Sequence, residues 1–190
     1  VKFPTSLVQR DSLTFYYQGV PTSSGFGSFE TNTHGNGTPV LWTLSEPYGA
    51  KEWMPCKQSL TDKIDSVDIF ITHPMGYRAA SNGVLQSEVS ENGKVTSHWK
   101  HRYPIATYLV CMAVTNYVSF SIPAPFGKDT TQIVNYVYPE NLQDAQTGVT
   151  DNASHLQLYD HLFGLYPFQK EKYGHAQFGW GGGMEHQTMT

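Results

Sequence analysis

The chain has 190 residues, of which 15% are charged and 14% aromatic. Average proteins carry about 25% charged residues, so this one has ample apolar surface for a core, and global disorder is excluded. The formal net charge is −4 and no Lys/Arg cluster occurs, so the electrostatic footprint of nucleic-acid binding is missing.

In chain order, the sequence opens on Val1 without the charged and apolar regions of a signal peptide. It reads as a processed protein or an excised fragment. Residues 12–18 (SLTFYYQ) predict a strand that stops at Gly19. Residues 21–37, rich in Ser, Thr, Gly and Asn, predict a long loop with at most a weak strand around Phe26 and Phe29. Strand character resumes at 39–44. Val67, Ile69 and Ile71 alternate with Asp68, Phe70 and Thr72, which puts the aliphatic set on one face of a strand. Asn92-Gly93 joins two alternating arms over 88–99, a strong hairpin signal. Residues 108–114 (YLVCMAV) are the longest apolar run. They fall far short of the roughly 20 residues of a membrane-spanning helix and predict a strand, as do 118–122 and 132–138. Strands at this spacing predict an antiparallel, sandwich-like β architecture.

The period changes near residue 150. Asp151 or Asn152 can cap a helix over 153–166, with Leu158, Leu162 and Leu165 recurring on one face. Pro167 ends it. Residues 173–180 predict a strand, followed by three glycines and an extended segment over 184–188. The expected division is 1–150 as a β-domain and 151–190 as the opening of a second, α+β domain.

Two cysteines, Cys56 and Cys111, are too few to define a disulfide framework. Cys111 lies inside the apolar run and reads as a buried thiol, with a bridge to Cys56 as the open alternative. The two-histidine zinc signature H-E-x-x-H is absent. His98 and His101 are three apart on a strand end and face opposite sides. They read as exposed or partly packed. His155 and His161, six apart on the helix, do not share a face. No G-x-S-x-G, Walker or dinucleotide-binding pattern fits. What carries chemistry is residues 181–187, GGGMEHQ. Glycines allow another backbone to approach closely, and an extended segment can take a peptide alongside as an added strand. A glutamate there can hold a positive charge at the peptide's end.

Gly182-Gly183-Met184-Glu185-His186 resembles the G-x-M-E-N exopeptidase motif of the M1 family of zinc aminopeptidases, with His186 where Asn is usual. Thr43-Leu44-Ser45-Glu46-Pro47, followed by Trp53-Met54-Pro55-Cys56, is similar to the family's N-terminal segment that sends Glu or Gln into the active site. Pro104-Ile105-Ala106-Thr107-Tyr108-Leu109 is similar to a strand crossing the family's N-terminal domain. The resemblance runs from about residue 12 to the end.

It implies a mainly β fold: an antiparallel, saddle-like N-terminal domain incomplete at its start, then the beginning of a thermolysin-like catalytic domain cut before the zinc motif. It implies a zinc-dependent aminopeptidase as parent, with zinc in the full-length enzyme and none in this chain. Glu46, Gly182, Gly183, Met184, Glu185 and, more weakly, His186 are then substrate-binding residues, and no catalytic residue lies in this chain. The partners are peptides with a free N-terminus, with no nucleic acid and no membrane span. Scarce Lys with plentiful Ser, Thr, Asn, Gly and Tyr leans towards a secreted or periplasmic location. A non-catalytic β-sandwich module that binds protein or carbohydrate through its Tyr/Trp-rich surface is the alternative.

Overall fold

Antiparallel hairpins build most of the molecule, whose computed structural model describes residues 12–126 and 129–190. The strands and helices run β1 (Ser28–His34), β2 (Thr38–Leu44), β3 (Val67–Pro74), β4 (Arg78–Ser81), β5 (Val84–Glu91), β6 (Lys94–His101), β7 (Met112–Thr115), β8 (Val118–Phe126), β9 (Asp129–Val137), α1 (Leu142–Gly148), α2 (Asn152–Phe163) and β10 (Tyr173–Ala176). They form three sheets, with orders β1-β2-β7-β4, β3-β6-β5 and β10-β9-β8. The mainly β, antiparallel fold class expected from the sequence is the one observed.

The β5–β6 turn holds Asn92 and Gly93 at φ 50 and 76. Positive φ at both central residues is what a tight hairpin turn of the right twist demands. In β3, Ile71 and His73 face inward while Asp68, Phe70 and Thr72 are exposed, as the alternation requires. The main core joins Trp42 and Leu44 of β2, Ile71, Trp99 of β6, Cys111, Tyr117 and Tyr136 of β9. Met184 and Met189, from the end of the chain, pack into the same core. Both cysteines are free thiols, so the bridge left open by the sequence does not form. Burial pushes the Cys111 thiol up to about 12.

Several expectations need correction. Residues 12–18 form no strand, and Leu13, Phe15, Tyr16 and Tyr17 are exposed. Aromatic content favours a strand only where a partner offers a ladder. The stretch 21–37, expected to be a loop, contains β1, paired with β2 along its whole length. β1 lies at a sheet edge, and most of its residues are exposed or half-buried, which leaves no apolar alternation to read. The strand expected over 108–114 is a 3-10 turn at Thr107–Leu109 followed by the shorter β7.

Helix α2 starts where the period change placed it, with Asp151 at its cap position but making no side-chain capping hydrogen bond, and it ends at Phe163, before Leu165 and Pro167, where Gly164 takes φ 90. The inward face is a different one. Leu158, Leu162 and Leu165 are 52%, 58% and 51% exposed, and Leu156 packs inward with Ile122, Ala124, Ile133 and Ala153. The helix is apolar on more than one side, so the strand it packs against selects the face. Position 150 lies between α1 and α2, within the crossover that carries β9 to its parallel neighbour β10. The β10-β9-β8 sheet therefore takes strands from both sides of that position. Parallel neighbours need such a long connection because the chain must return to the same end of the sheet.

Candidate functional site

The candidate site forms where the segment after β10 meets the ends of the N-terminal strands. Gly181, Gly182 and Gly183 are exposed. Within the described residues, the backbone of 181–185 makes no hydrogen bond to another residue. A Cβ on Gly182 would overlap the indole ring of Trp180, so only glycine lets that ring lie against the backbone. Trp180 meets Phe26 edge-on, with ring centroids 5.8 Å apart. A cleft of about 230 Å³ opens beside the glycines, walled by Phe178, Trp180, Met184 and Thr190.

Glu185 is exposed at the end of this run, and Glu46 is half-buried just past the end of β2. Both act on Tyr108, from the 3-10 turn that precedes β7. Burial, then the negative charges of Glu185 and Glu46 and a hydrogen bond to Glu185, push the Tyr108 phenol above its ordinary pKa. Two residues 139 positions apart in sequence thus act on one hydroxyl. A neutral phenol donates a hydrogen bond to a carboxylate and leaves the acidic character of the site intact.

The other predicted residues turn inward. Met184 is buried in the core. His186 is buried too, and its Nε2 has no hydrogen-bond partner. Burial alone pushes its pKa down to about 3, because the charged form would be stranded without solvent. The ring lines a small cavity of about 10 Å³ with Trp42, Ala80 and Cys111. The extended peptide-docking segment expected over 184–188 therefore ends at Glu185. Beyond it the Met189 N–H donates to the His186 carbonyl, and Thr188 takes φ 66.

This segment is held by Asn82, Lys172, Glu171, His101 and Gln187, a role the sequence shows for none of them. His101, expected to be exposed or partly packed, is fully buried between Glu171 (2.5 Å) and Gln187 (2.8 Å). His98, half-buried, lies on the opposite face beside Asp68. Lys170-Glu171-Lys172 looks like an ordinary solvated run of charges, yet Lys172 is buried. Nothing local marks these residues, because each acts on a segment 16 to 105 positions away. Among the described residues, no three His, Cys, Asp or Glu side chains come together to hold a metal ion. The zinc that the family resemblance implies for the full-length enzyme finds no ligand set among them.

The fold is the one seen in M1 metallopeptidase structures. The M1 zinc metallopeptidase of Deinococcus radiodurans superposes with a TM-score of 0.71 at 21% identity, over 90% of this chain and 39% of that one. A two-domain M1 zinc metallopeptidase mutant bound to L-tryptophan gives 0.71 at 22% identity, over 90% and 40%. Residues 1–109 match the Peptidase M1 N-terminal domain, and the chain belongs to that family. It is 30% identical over 156 residues to glutamyl aminopeptidase of Homo sapiens, covering 80% of this chain. It is 24% identical over 166 residues to aminopeptidase N of Haemonchus contortus, covering 82%. The chain spans 16% of the length of each of these two relatives.

Proposed function

We propose that this chain is the part of a zinc-dependent aminopeptidase that recognises the free N-terminus of a peptide, with Glu185 and Glu46 binding the substrate ammonium. The observation that carries the reading is the convergence of both carboxylates on Tyr108 beside an exposed glycine run. An α-ammonium brings three N–H donors, and charge-assisted hydrogen bonds to carboxylates are about twice as strong as neutral ones. An acetylated peptide offers no positive charge and leaves both carboxylates without a counter-ion. The site therefore favours removal of one residue at a time over internal cleavage. The backbone of Gly182 and Gly183, which makes no hydrogen bond among the described residues, is available to run beside the substrate backbone. Met184 and His186, both buried, serve as anchors on either side of Glu185. The proposed passage from N-terminal β-domain to catalytic domain near residue 150 falls in the β9–β10 crossover, and the composition favours a secreted or periplasmic location.

The test uses the full-length enzyme and Glu185→Gln, which keeps the shape and removes the charge. Losing one charge-assisted contact of about 1.5–3 kcal/mol lowers kcat/KM for a free-amine substrate roughly 10–150-fold. The melting temperature stays put, because Glu185 is exposed. Unchanged kcat/KM on aminoacyl anilides overturns the reading.

A further inference from the structure

Residues 184–190 have no regular secondary structure, yet all but Glu185 and Thr190 are buried. A buried irregular segment must find partners for its backbone groups elsewhere. Thr190 finds them on Gly174 and Ala176 of β10, while the Gln187 and Thr188 carbonyls are met from one corner, Ser81-Asn82-Gly83, and one lysine. The Asn82 side chain, itself fully buried, accepts from the Cys111 N–H (2.7 Å) and donates to the Leu109 carbonyl (2.9 Å) and the Gln187 carbonyl (2.6 Å). One amide thus ties the stretch that carries Tyr108 to the stretch that carries Glu185. The neighbouring Gly83 N–H donates to Thr188 Oγ1 (2.8 Å).

Lys172 closes the corner from the other side. Its ammonium donates to the Ser81 and Thr188 carbonyls, each at 2.9 Å, and lies 5.1 Å from the centre of the Trp99 ring. A third arm runs through Gln187, whose side-chain nitrogen donates to His101 Nε2 (2.8 Å) and the Pro104 carbonyl (3.0 Å). His101 then carries its proton on Nδ1 and donates to Glu171. Every arm lands on Gln187 or Thr188, two or three residues past Glu185, while Met184 is sunk in the core on the other side. Glu185 is the exposed apex of a loop pinned at both ends.

We propose that Asn82 and Lys172 are positioning residues for N-terminus recognition: by locking Gln187 and Thr188 onto the Ser81–Gly83 corner and the Leu109–Cys111 stretch, they hold Glu185 where it shares one ammonium with Glu46. The inference rests on the proposed function above. Its physical basis is that a displacement of about 1 Å in a polar recognition site costs up to roughly 100-fold.

The experiment uses the full-length enzyme and two probes, an amino-acid amide and its des-amino counterpart, whose ratio of Kd values isolates recognition of the ammonium. Asn82→Asp keeps the shape and the acceptor for Cys111 while removing both donors. Lys172→Met keeps a stem of similar length and removes the ammonium beside Trp99 with its two hydrogen bonds to carbonyls. Each variant is expected to lower the ratio roughly 10- to 100-fold, with des-amino binding and metal content unchanged. In a Glu185→Gln background the same substitutions add little, because they act through that carboxylate. If Asn82→Asp does not fold, Lys172→Met carries the comparison. A wild-type ratio in folded variants, or a full additive loss in the Glu185→Gln background, overturns the positioning role. An unchanged ratio in Glu185→Gln alone instead overturns the proposed function on which it rests.

Discussion

Lys172→Met tests the energetics of the pinned loop through its pH dependence. Burial drives the Lys172 pKa down from 10.5 to about 7, partly offset by Cys111 and Glu171. The sign follows from proton counting. Below pH 7 both folded and unfolded chains hold the proton, and the fold carries the full cost of a buried ammonium. Between 7 and 10.5 the unfolded chain binds the proton more tightly, so stability rises with pH. Tyrosines with raised pKa act only above about pH 10, and Cys111, raised from 9.0 to about 12, begins to lower stability above pH 9. His175 and His186, both lowered from 6.5, act below it. The window from pH 7 to 9 therefore belongs to Lys172. Integrating a shift from 10.5 to 7 across it, with about 1.4 kcal/mol per pKa unit, gives a rise of about 2 kcal/mol. In Lys172→Met that rise disappears. Its carbonyl partners, Ser81 and Thr188, lose a donor, which costs about 1–3 kcal/mol each. The substitution is thus least harmful at pH 7 or below and most harmful near pH 9. Chemical denaturation of both proteins across this range measures the difference. Parallel stability curves would refute the reasoning.

His186 makes the complementary prediction in acid. Its folded pKa of about 3 against 6.5 unfolded means that stability falls as pH drops below 6.5, by about 2 kcal/mol at pH 5. His186→Leu, which also removes the unpartnered Nε2, should flatten that fall in thermal melts between pH 7 and 5. Gly83→Ala should cost more than about 3 kcal/mol, because a Cβ there overlaps the Lys100 carbonyl and the backbone sits at φ +74. Gly183→Ala, which meets no atom within 4 Å, should leave denaturation midpoints nearly unchanged. Thiol titration should find two reactive cysteines in denaturant and slow reaction of Cys111 in the native state, since burial holds its thiol protonated.

Much of the architecture could be read locally. The alternation in β3 and the Asn92-Gly93 turn carry their structure within a few residues, because strand faces and tight turns are set by neighbouring φ and ψ. The stretches that hold Glu46, Tyr108 and the glycine-rich motif stood out only by family resemblance, with no role for Tyr108, while the change of period marked the start of a helix expected over 153–166 and observed over Asn152–Phe163. What the sequence could not decide was which groups would be buried and against what. The β1 edge strand has little apolar pattern to read, and the leucine face of α2 points outward because β8 takes Leu156 instead. His101, Lys172 and the side chain of Glu171 look like surface charges until the fold closes over them. Asn82 gains its meaning from carbonyls 27 and 105 residues away. The physical reason is the same each time. Propensity and periodicity act over a few residues, whereas burial and the hydrogen bonds that satisfy buried groups are set only when distant segments meet.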